Sequence, residues 1–243
     1  MLERQRLEAW AGAYPPVRTP KRVLVVMAGN IPLVGFFDLL CVLASGHACR
    51  VKPSSKDTVL IGYVVDLLRA IDPAIPLRMA EQGERPDAVI ATGSDNANRY
   101  FRMLFGGIPS LLRGSRQSVA VLSGRETAAE LSGLEEDIFA YSGLGCRNVS
   151  LLFLPRGYMP ELRCTALNEK YRRNYLRERA LLRMRRMPFV DLDGAVLCED
   201  RSFPAALSRI HYTFYDSLAD VEAWLAAHDD RLQCVVSQCV RHS

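Results

Sequence analysis

The fold is decided by Arg22-Val-Leu-Val-Val-Met27 and the Ala28-Gly-Asn-Ile-Pro32 that follows it. Behind Arg22 the run is wholly apolar and lacks the alternation of a half-solvated strand. That predicts a strand buried on both faces, as in a parallel sheet. Working outward, Val34 to Ser45 is too densely apolar for a helix with one solvated face, and Gly46 supplies its stop. Ala48 to Lys52 is a second short strand, and Ser54-Ser-Lys-Asp57 offers capping residues ahead of a helix through Ile71. Asp87-Ala-Val-Ile-Ala-Thr92 is a third strand and Ser94 to Phe105 the next helix. Ser118 to Leu122 closes this first series. Toward the N-terminus, residues 1–21 read as a short helix and a proline-rich approach (Tyr14-Pro-Pro, Thr19-Pro).

The alternation continues with a helix at Thr127–Ser142 and a strand at Asn148–Pro155. A long basic helix spans about Met159–Met187 and is stopped by Pro188. Strands near Gly194–Cys198 and Ile210–Tyr215, a helix at Ser217–His228 and a strand at Leu232–Ser237 complete the chain. Strands alternating with helices imply βαβ units and a mostly parallel sheet, so the fold class is α/β. The expected division is a first domain over 1–122, a second over 123–237 and an atypical tail at 238–243, with the boundary near Ser123-Gly124.

The 243 residues are 49% hydrophobic and 24% charged, a globular profile that excludes a disordered or collagen-like chain. No run of about 18 uncharged apolar residues occurs, so no membrane span is expected. Met1-Leu-Glu-Arg-Gln-Arg-Leu-Glu lacks the apolar core of a signal peptide, and a cytoplasmic location is the expectation. A net charge of +4 permits an anionic ligand without demanding nucleic acid. The seven cysteines are odd in number and none forms C-x-x-C, which argues against zinc and against a secreted disulfide framework. No metal is expected. The four histidines, His47, His211, His228 and His242, form no pattern that carries chemistry.

Ligands of open parallel sheets bind outside the carboxyl ends of the strands. Three polar motifs fall there: Ala28-Gly-Asn-Ile-Pro32, Lys52-Pro-Ser54 and Thr92-Gly-Ser94. Gly93 lets a ligand approach the backbone, and the helix amides behind it favour an anion. Each motif alone reads first as an ordinary turn or cap. Together, with a lysine among them, they point to a phosphate-bearing ligand. G-x-G-x-x-G is absent, so the standard dinucleotide fingerprint is not the basis for this. The fourth motif is Tyr141-Ser-Gly-Leu-Gly-Cys146-Arg-Asn-Val-Ser150. Gly143 and Gly145 leave room for a substrate to reach the sulfur, and Arg147 favours the thiolate, the nucleophilic form. The alternative is a packed cysteine in a tight turn.

These four motifs, in this order, resemble the aldehyde dehydrogenase superfamily, and most of all its LuxC-like acyl-CoA reductase branch. The similarity runs over about residues 20–236 and is closest from Val25 to Gly35 and through Lys52-Pro-Ser-Ser-Lys56. It implies a parallel Rossmann-type cofactor sheet in 1–122, lacking part of its N-terminal region, and a catalytic α/β domain in 123–237. Cys146 matches the family's nucleophile, and Asn30 the asparagine that helps form the oxyanion hole. Lys52 matches the lysine on the adenosine ribose, with Ser54 and Ser55 beside it. Gly93 and Ser94 match the pair near the pyrophosphate. Glu199-Asp-Arg-Ser-Phe-Pro204 resembles the Glu-x-Phe-Gly-Pro segment that touches the nicotinamide ribose, with Glu199 or Asp200 as the counterpart.

The implied reaction is reduction of an acyl-CoA thioester, most naturally a fatty acyl one, to an aldehyde through an acyl-cysteine. Where hydrolytic relatives carry a water-activating glutamate, this chain reads Arg113-Gly-Ser-Arg-Gln-Ser118, which suits a reductase. Ser55 stands where many NAD-using relatives have a glutamate. That implies NADPH, with NADH as the alternative. The resemblance also implies an acyl-CoA substrate, an acyl-donor protein as a candidate partner and a homo-oligomer in the full-length form. Family members are longer at both ends. The rival expectations are therefore a truncated, non-catalytic binding or assembly subunit, or an acyl-phosphate reductase. The basic run from Lys170 to Arg186 reads first as a solvated helix face, with a nucleic-acid or anionic-surface patch as the rival reading and a docking face for the CoA phosphates or a partner as a third option. No RNA- or DNA-binding motif accompanies the run, and no nucleic-acid partner is expected.

Overall fold

A computed structural model of the chain describes residues 3–15, 17–165 and 168–241. Pro16 of the proline-rich approach, Ala166 and Leu167 of the expected basic helix, and His242 and Ser243 of the tail lie outside these residues, as do Met1 and Leu2. The chain forms two compact units, Met1–Ser115 and Arg116–Ser243.

The first unit contains α1 (Arg4–Gly12), β1 (Arg22–Val26), α2 (Phe36–Ala44), β2 (Ala48–Lys52) and α3 (Thr58–Ile71). It continues through β3 (Leu77–Met79), β4 (Ala88–Thr92), α4 (Asp95–Phe105) and β5 (Ser110–Arg113). The sheet order is β3-β2-β1-β4-β5 and every pairing is parallel. Chain order reverses between β1 and β4, the switch point at which such sheets open a crevice. Val23, Val25, Cys49 and Val51 of the sheet are buried with Leu39 of α2 and Ile61 of α3. The expectation that β1 is buried on both faces is corrected, because Leu24 and Val26 on its other face are only half-buried. The sequence reading missed β3 and β5. These are edge strands of three and four residues, too short to show a period of two. Along α3, Val59, Tyr63, Leu67 and Ile71 remain exposed.

At the amino end of this sheet the Arg22 guanidinium grips the Asp87 carboxylate at 3.1 and 3.2 Å, and the Arg22 N–H donates to it at 2.8 Å. These bonds hold the Asp87 carboxyl at about 2, against an ordinary value of 3.8. A depressed carboxyl contributes stability above its unfolded value and loses it as pH falls through the folded one. Acid titration should therefore show a loss of stability between about pH 4 and pH 2 that Asp87→Asn removes. Both side chains are partly solvated, so the effect is small. Identical acid profiles for the two proteins would show that the pair contributes nothing.

The second unit contains β6 (Gln117–Val121), α5 (Ala128–Phe139), β7 (Val149–Pro155), α6 (Glu169–Met184) and β8 (Val190–Asp191). After these come β9 (Val196–Glu199), β10 (Arg209–Tyr215), α7 (Leu218–Ala227) and β11 (Leu232–Ser237). Its sheet runs β11-β6-β7-β10-β9-β8, parallel except for β8 against β9. Leu151 and Phe153 pack with Val119, Val221 and Leu225 on one side of β7. On the other, Leu152 and Leu154 pack with Ile138 and Phe139.

Two expectations change here. The strand at 117–121 was attached by sequence to the first series, but it pairs with β7 and β11, which moves the boundary to 115/116. A strand's own residues do not name its sheet partner. The basic helix begins at Glu169 rather than near Met159, with the Asn168 side chain accepting from Tyr171 N–H at 2.9 Å as its cap. The described part of the tail is packed. Val240 is 7% exposed and packs into the β6–β7–α7 core.

Candidate functional site

In the first unit the carboxyl ends of β1, β2 and β4 are level. Val26 pairs with Lys52 on one side and Ala91 on the other, and Met27 N–H donates to the Lys52 carbonyl at 2.9 Å. All three polar motifs of this unit therefore lie on one edge, flanking the switch point. The 28–35 loop is tied down by Asp57, which is 6% exposed. Its carboxylate accepts from the Leu33 N–H at 2.7 Å and holds Leu33 at φ +56°. Sequence made Asp57 a helix cap. It does sit at the N-cap position of α3, but its side chain makes no cap bond and reaches the loop instead.

Gly29 lies against Ser54, so closely that a Cβ would overlap the serine side chain. Asn30 is exposed beside a concavity of about 260 Å³ lined by Gly29, Ile31, Pro32, Lys56 and Leu60. Lys52 and Ser55 are exposed. Ser94 caps α4 by accepting from the Ala97 N–H at 3.3 Å. A Cβ on Gly93 would come within 3.0 Å of the Ala97 Cβ, which explains the glycine. The Thr92 hydroxyl beside it is buried with no partner. A helix N-terminus and an orphaned hydroxyl beside it suit a phosphate-bearing ligand.

In the second unit Cys146 lies in the turn between α5 and β7 and is exposed. The other six cysteines are buried or half-buried. The chain leaves α5 through a left-handed stretch: Tyr141 at φ +52°, Ser142 at +56° and Gly143 at +63°. Only the last is at ease there. Each of the other two costs about 1–2 kcal/mol. The stretch persists because it is over-determined. The Asn148 amide donates to the Asp137 and Ala140 carbonyls, both at 3.0 Å, satisfying groups left open at the end of α5. Its oxygen accepts from the Gly145 N–H at 2.8 Å. The Ser118 hydroxyl, fully buried on β6, donates to the Cys146 carbonyl at 3.0 Å. Ser142 accepts from the Asn168 N–H at 3.1 Å. The thiol is thus presented on a turn bound to α5, β6 and the start of α6.

Burial separates the remaining thiols from Cys146. It pushes the Cys49 thiol up to about 12 and that of Cys164 to about 11, and it raises those of Cys41 and Cys198. Glu199 ends β9 and pairs through Tyr212 with Leu152, three residues into β7. That puts it about 10 Å along the strands beyond Val149, whereas the Cys146 turn precedes Val149. Asp200 is engaged in its own turn, accepting from the Ser202 N–H at 2.8 Å. Pro204 to Leu207 lie beside the thiol turn, lining one cavity with Gly143, Gly145 and Asn148. Sequence reading did not single out Ser118, Asn148 or Ala205 to Leu207. The asparagine just before an apolar strand was the one available signal.

No protein-family model matches the sequence, and no curated protein matches it. Solved structures do. A Mycobacterium tuberculosis aldehyde dehydrogenase complexed with NAD+ is 15% identical with a TM-score of 0.66, covering 91% of this chain and 62% of that one. The NAD+ complex of a Bacillus cereus aldehyde dehydrogenase is 12% identical, TM-score 0.67, covering 98% and 67%. An NAD-dependent benzaldehyde dehydrogenase from Corynebacterium glutamicum is 15% identical, TM-score 0.64, covering 93% and 63%. The chain thus spans roughly three-fifths to two-thirds of the length of these relatives. Among the described residues no helix is long and apolar enough to cross a membrane, and no cluster could hold a metal ion. The level sheet edge of the first unit, the clamped cysteine turn of the second and these likenesses agree on one fold, the α/β architecture of the aldehyde dehydrogenases.

Proposed function

We propose that the chain is an oxidoreductase that reduces an acyl-CoA thioester to an aldehyde through an acyl-cysteine on Cys146, with NADPH as the reductant. The observation that carries this reading is the exposed Cys146 on a strained turn clamped by Asn148 and Ser118, beside a cavity. The Cys146 thiolate attacks the thioester carbonyl, the carbon–sulfur bond to CoA breaks, and CoA leaves as a thiolate that takes up a proton. When bound, the dinucleotide would supply a hydride to the acyl-cysteine. The aldehyde then departs and the thiolate is restored. Asn30 and the Cys146 amide are assigned to the acyl oxygen as donors.

The dinucleotide is assigned to the first unit. Lys52 and Ser54 would hold the adenosine ribose, and Gly93, Ser94 and the α4 amides the pyrophosphate. The level edge and the orphaned Thr92 hydroxyl support that placement. The stretch 113–118 offers no carboxylate to activate water, which favours reduction over hydrolysis. Arg113 is instead engaged with Asp38 at 2.5 Å. The test is NADPH oxidation by the purified chain with acyl-CoAs of graded length. It should give aldehyde and free CoA in equal amounts. NADPH consumption without CoA release would overturn the acyl-transfer route.

Cofactor choice is assigned to Ser55, which is exposed, small and uncharged, with Lys56 following it. A carboxylate there would accept from the ribose hydroxyls and repel a 2′-phosphate. Ser55→Glu should therefore weaken NADPH binding about tenfold or more and NADH binding much less, read by paired fluorescence titrations. Equal losses for both cofactors, or a wild type that prefers NADH, would contradict the assignment.

A further inference from the structure

We infer that a basic groove on the second unit binds the phosphate-bearing tail of the CoA thioester, an inference that rests on the acyl-transfer reading above. Two concavities share Ala205, Ala206, Leu207 and Arg209, so they are parts of one groove. One end is the thiol turn, with Gly143, Gly145 and Asn148. The other end encloses about 530 Å³ against α6, a volume suited to a small-molecule ligand. Lys170, Asn174, Arg177 and Leu181 line it at the spacing of one helix face, with Arg185 just past the helix end.

The charges along this groove are unbalanced. The one carboxylate in its lining is Glu178, whose side chain is 4% exposed and already accepts from Arg209 at 2.5 Å. Arg177 reaches the same carboxylate at 3.6 Å, and among the described residues Lys170 and Arg185 have no carboxylate partner. The Arg209 Nε is buried without a partner. Away from the groove Arg173 pairs with Glu169, and Arg179 and Arg183 with Asp191, while the exposed Arg172 has no carboxylate partner among the described residues. What sets the groove apart is that Lys170, Arg177, Arg185 and Arg209 converge on one concavity. Guanidinium groups bind phosphate oxygens through paired charge-assisted hydrogen bonds. Leu144, Leu181 and Leu207 offer apolar contact to an uncharged linker between phosphate and thioester. A long ligand with several phosphates at one end and a reactive thioester at the other matches a groove that is cationic at one end and meets the thiol turn at the other.

The experiment uses CoA itself as probe, by isothermal titration calorimetry on the whole chain. Arg177→Gln with Arg185→Gln should weaken CoA binding about tenfold or more. The charge-matched control, Arg172→Gln with Arg173→Gln, should change it less than about twofold. Equal weakening in both would mean general electrostatics and would overturn the groove, as would no CoA binding to the wild type. A single-stranded oligonucleotide that displaces CoA at lower concentration would reassign the groove to nucleic acid. The second arm compares Cys146 acylation by acyl-CoA and by the phosphate-free acyl-N-acetylcysteamine thioester. The wild type should prefer acyl-CoA, and the groove variant should lose about tenfold of that preference. Acylation by both thioesters with no preference would sink the groove and leave the acyl-transfer reading standing. CoA binding with the expected loss but no acylation of Cys146 would support the groove and sink acyl transfer.

Discussion

Cys146→Ala is expected to abolish covalent labelling of the chain by radioactive acyl-CoA, with none of the other six cysteines restoring it. Acyl transfer needs a thiolate that the thioester can reach. At neutral pH a thiol whose midpoint lies at 11–12 is ionised only to about one part in 10⁴–10⁵, which removes Cys164 and Cys49 from contention. Desolvation works in the same direction on Cys41 and Cys198. Cys239 is half-buried, with its sulfur held against the Ser237 hydroxyl at 3.3 Å. Cys146 is the exposed member of the set. The substitution removes a sulfur from an exposed position, so thermal stability should be unchanged while labelling and turnover vanish. Intact-mass spectrometry after incubation with acyl-CoA reads the outcome directly. An acyl adduct on the alanine variant would place the nucleophile elsewhere.

Asn148→Ala should have the next largest effect, on stability and labelling together. Its side chain makes three hydrogen bonds, two to carbonyls at the end of α5 and one from the Gly145 N–H. At about 0.5–1.5 kcal/mol each, their loss costs roughly 1.5–4.5 kcal/mol. The left-handed residues at 141 and 142 add to the tendency of the turn to relax once the clamp is gone. Denaturant unfolding should show that loss in the second unit, and acylation of Cys146 should slow even where the variant is still folded. Ser118→Ala is the milder companion, because it removes one bond to the Cys146 carbonyl and leaves the asparagine in place. Acylation at the wild-type rate in folded Asn148→Ala would show that the turn's geometry is not held by this residue.

The sequence by itself determined the α/β class and the place of most long elements. Those are local matters. The apolar run at 22–27 needs two buried neighbours wherever it sits, and Gly46, Ser94 and Thr127 act on backbone groups within a few residues. The long-range decisions were made by the tertiary structure. Which sheet receives β6 depends on partners 31 and 116 residues away in sequence, Val149 against Ser118 and Ser237 against Val121, on edges that no local pattern encodes. Asp57 reads as a cap in sequence and becomes a tether because the 28–35 loop is folded over it. The same holds for Asn148 and Ser118, ordinary polar residues until α5, β6 and the cysteine turn meet. The charge on α6 was plain in the sequence. Which of its cations are neutralised depends on where Asp191 and Arg209 return to the helix, and that is set by packing alone.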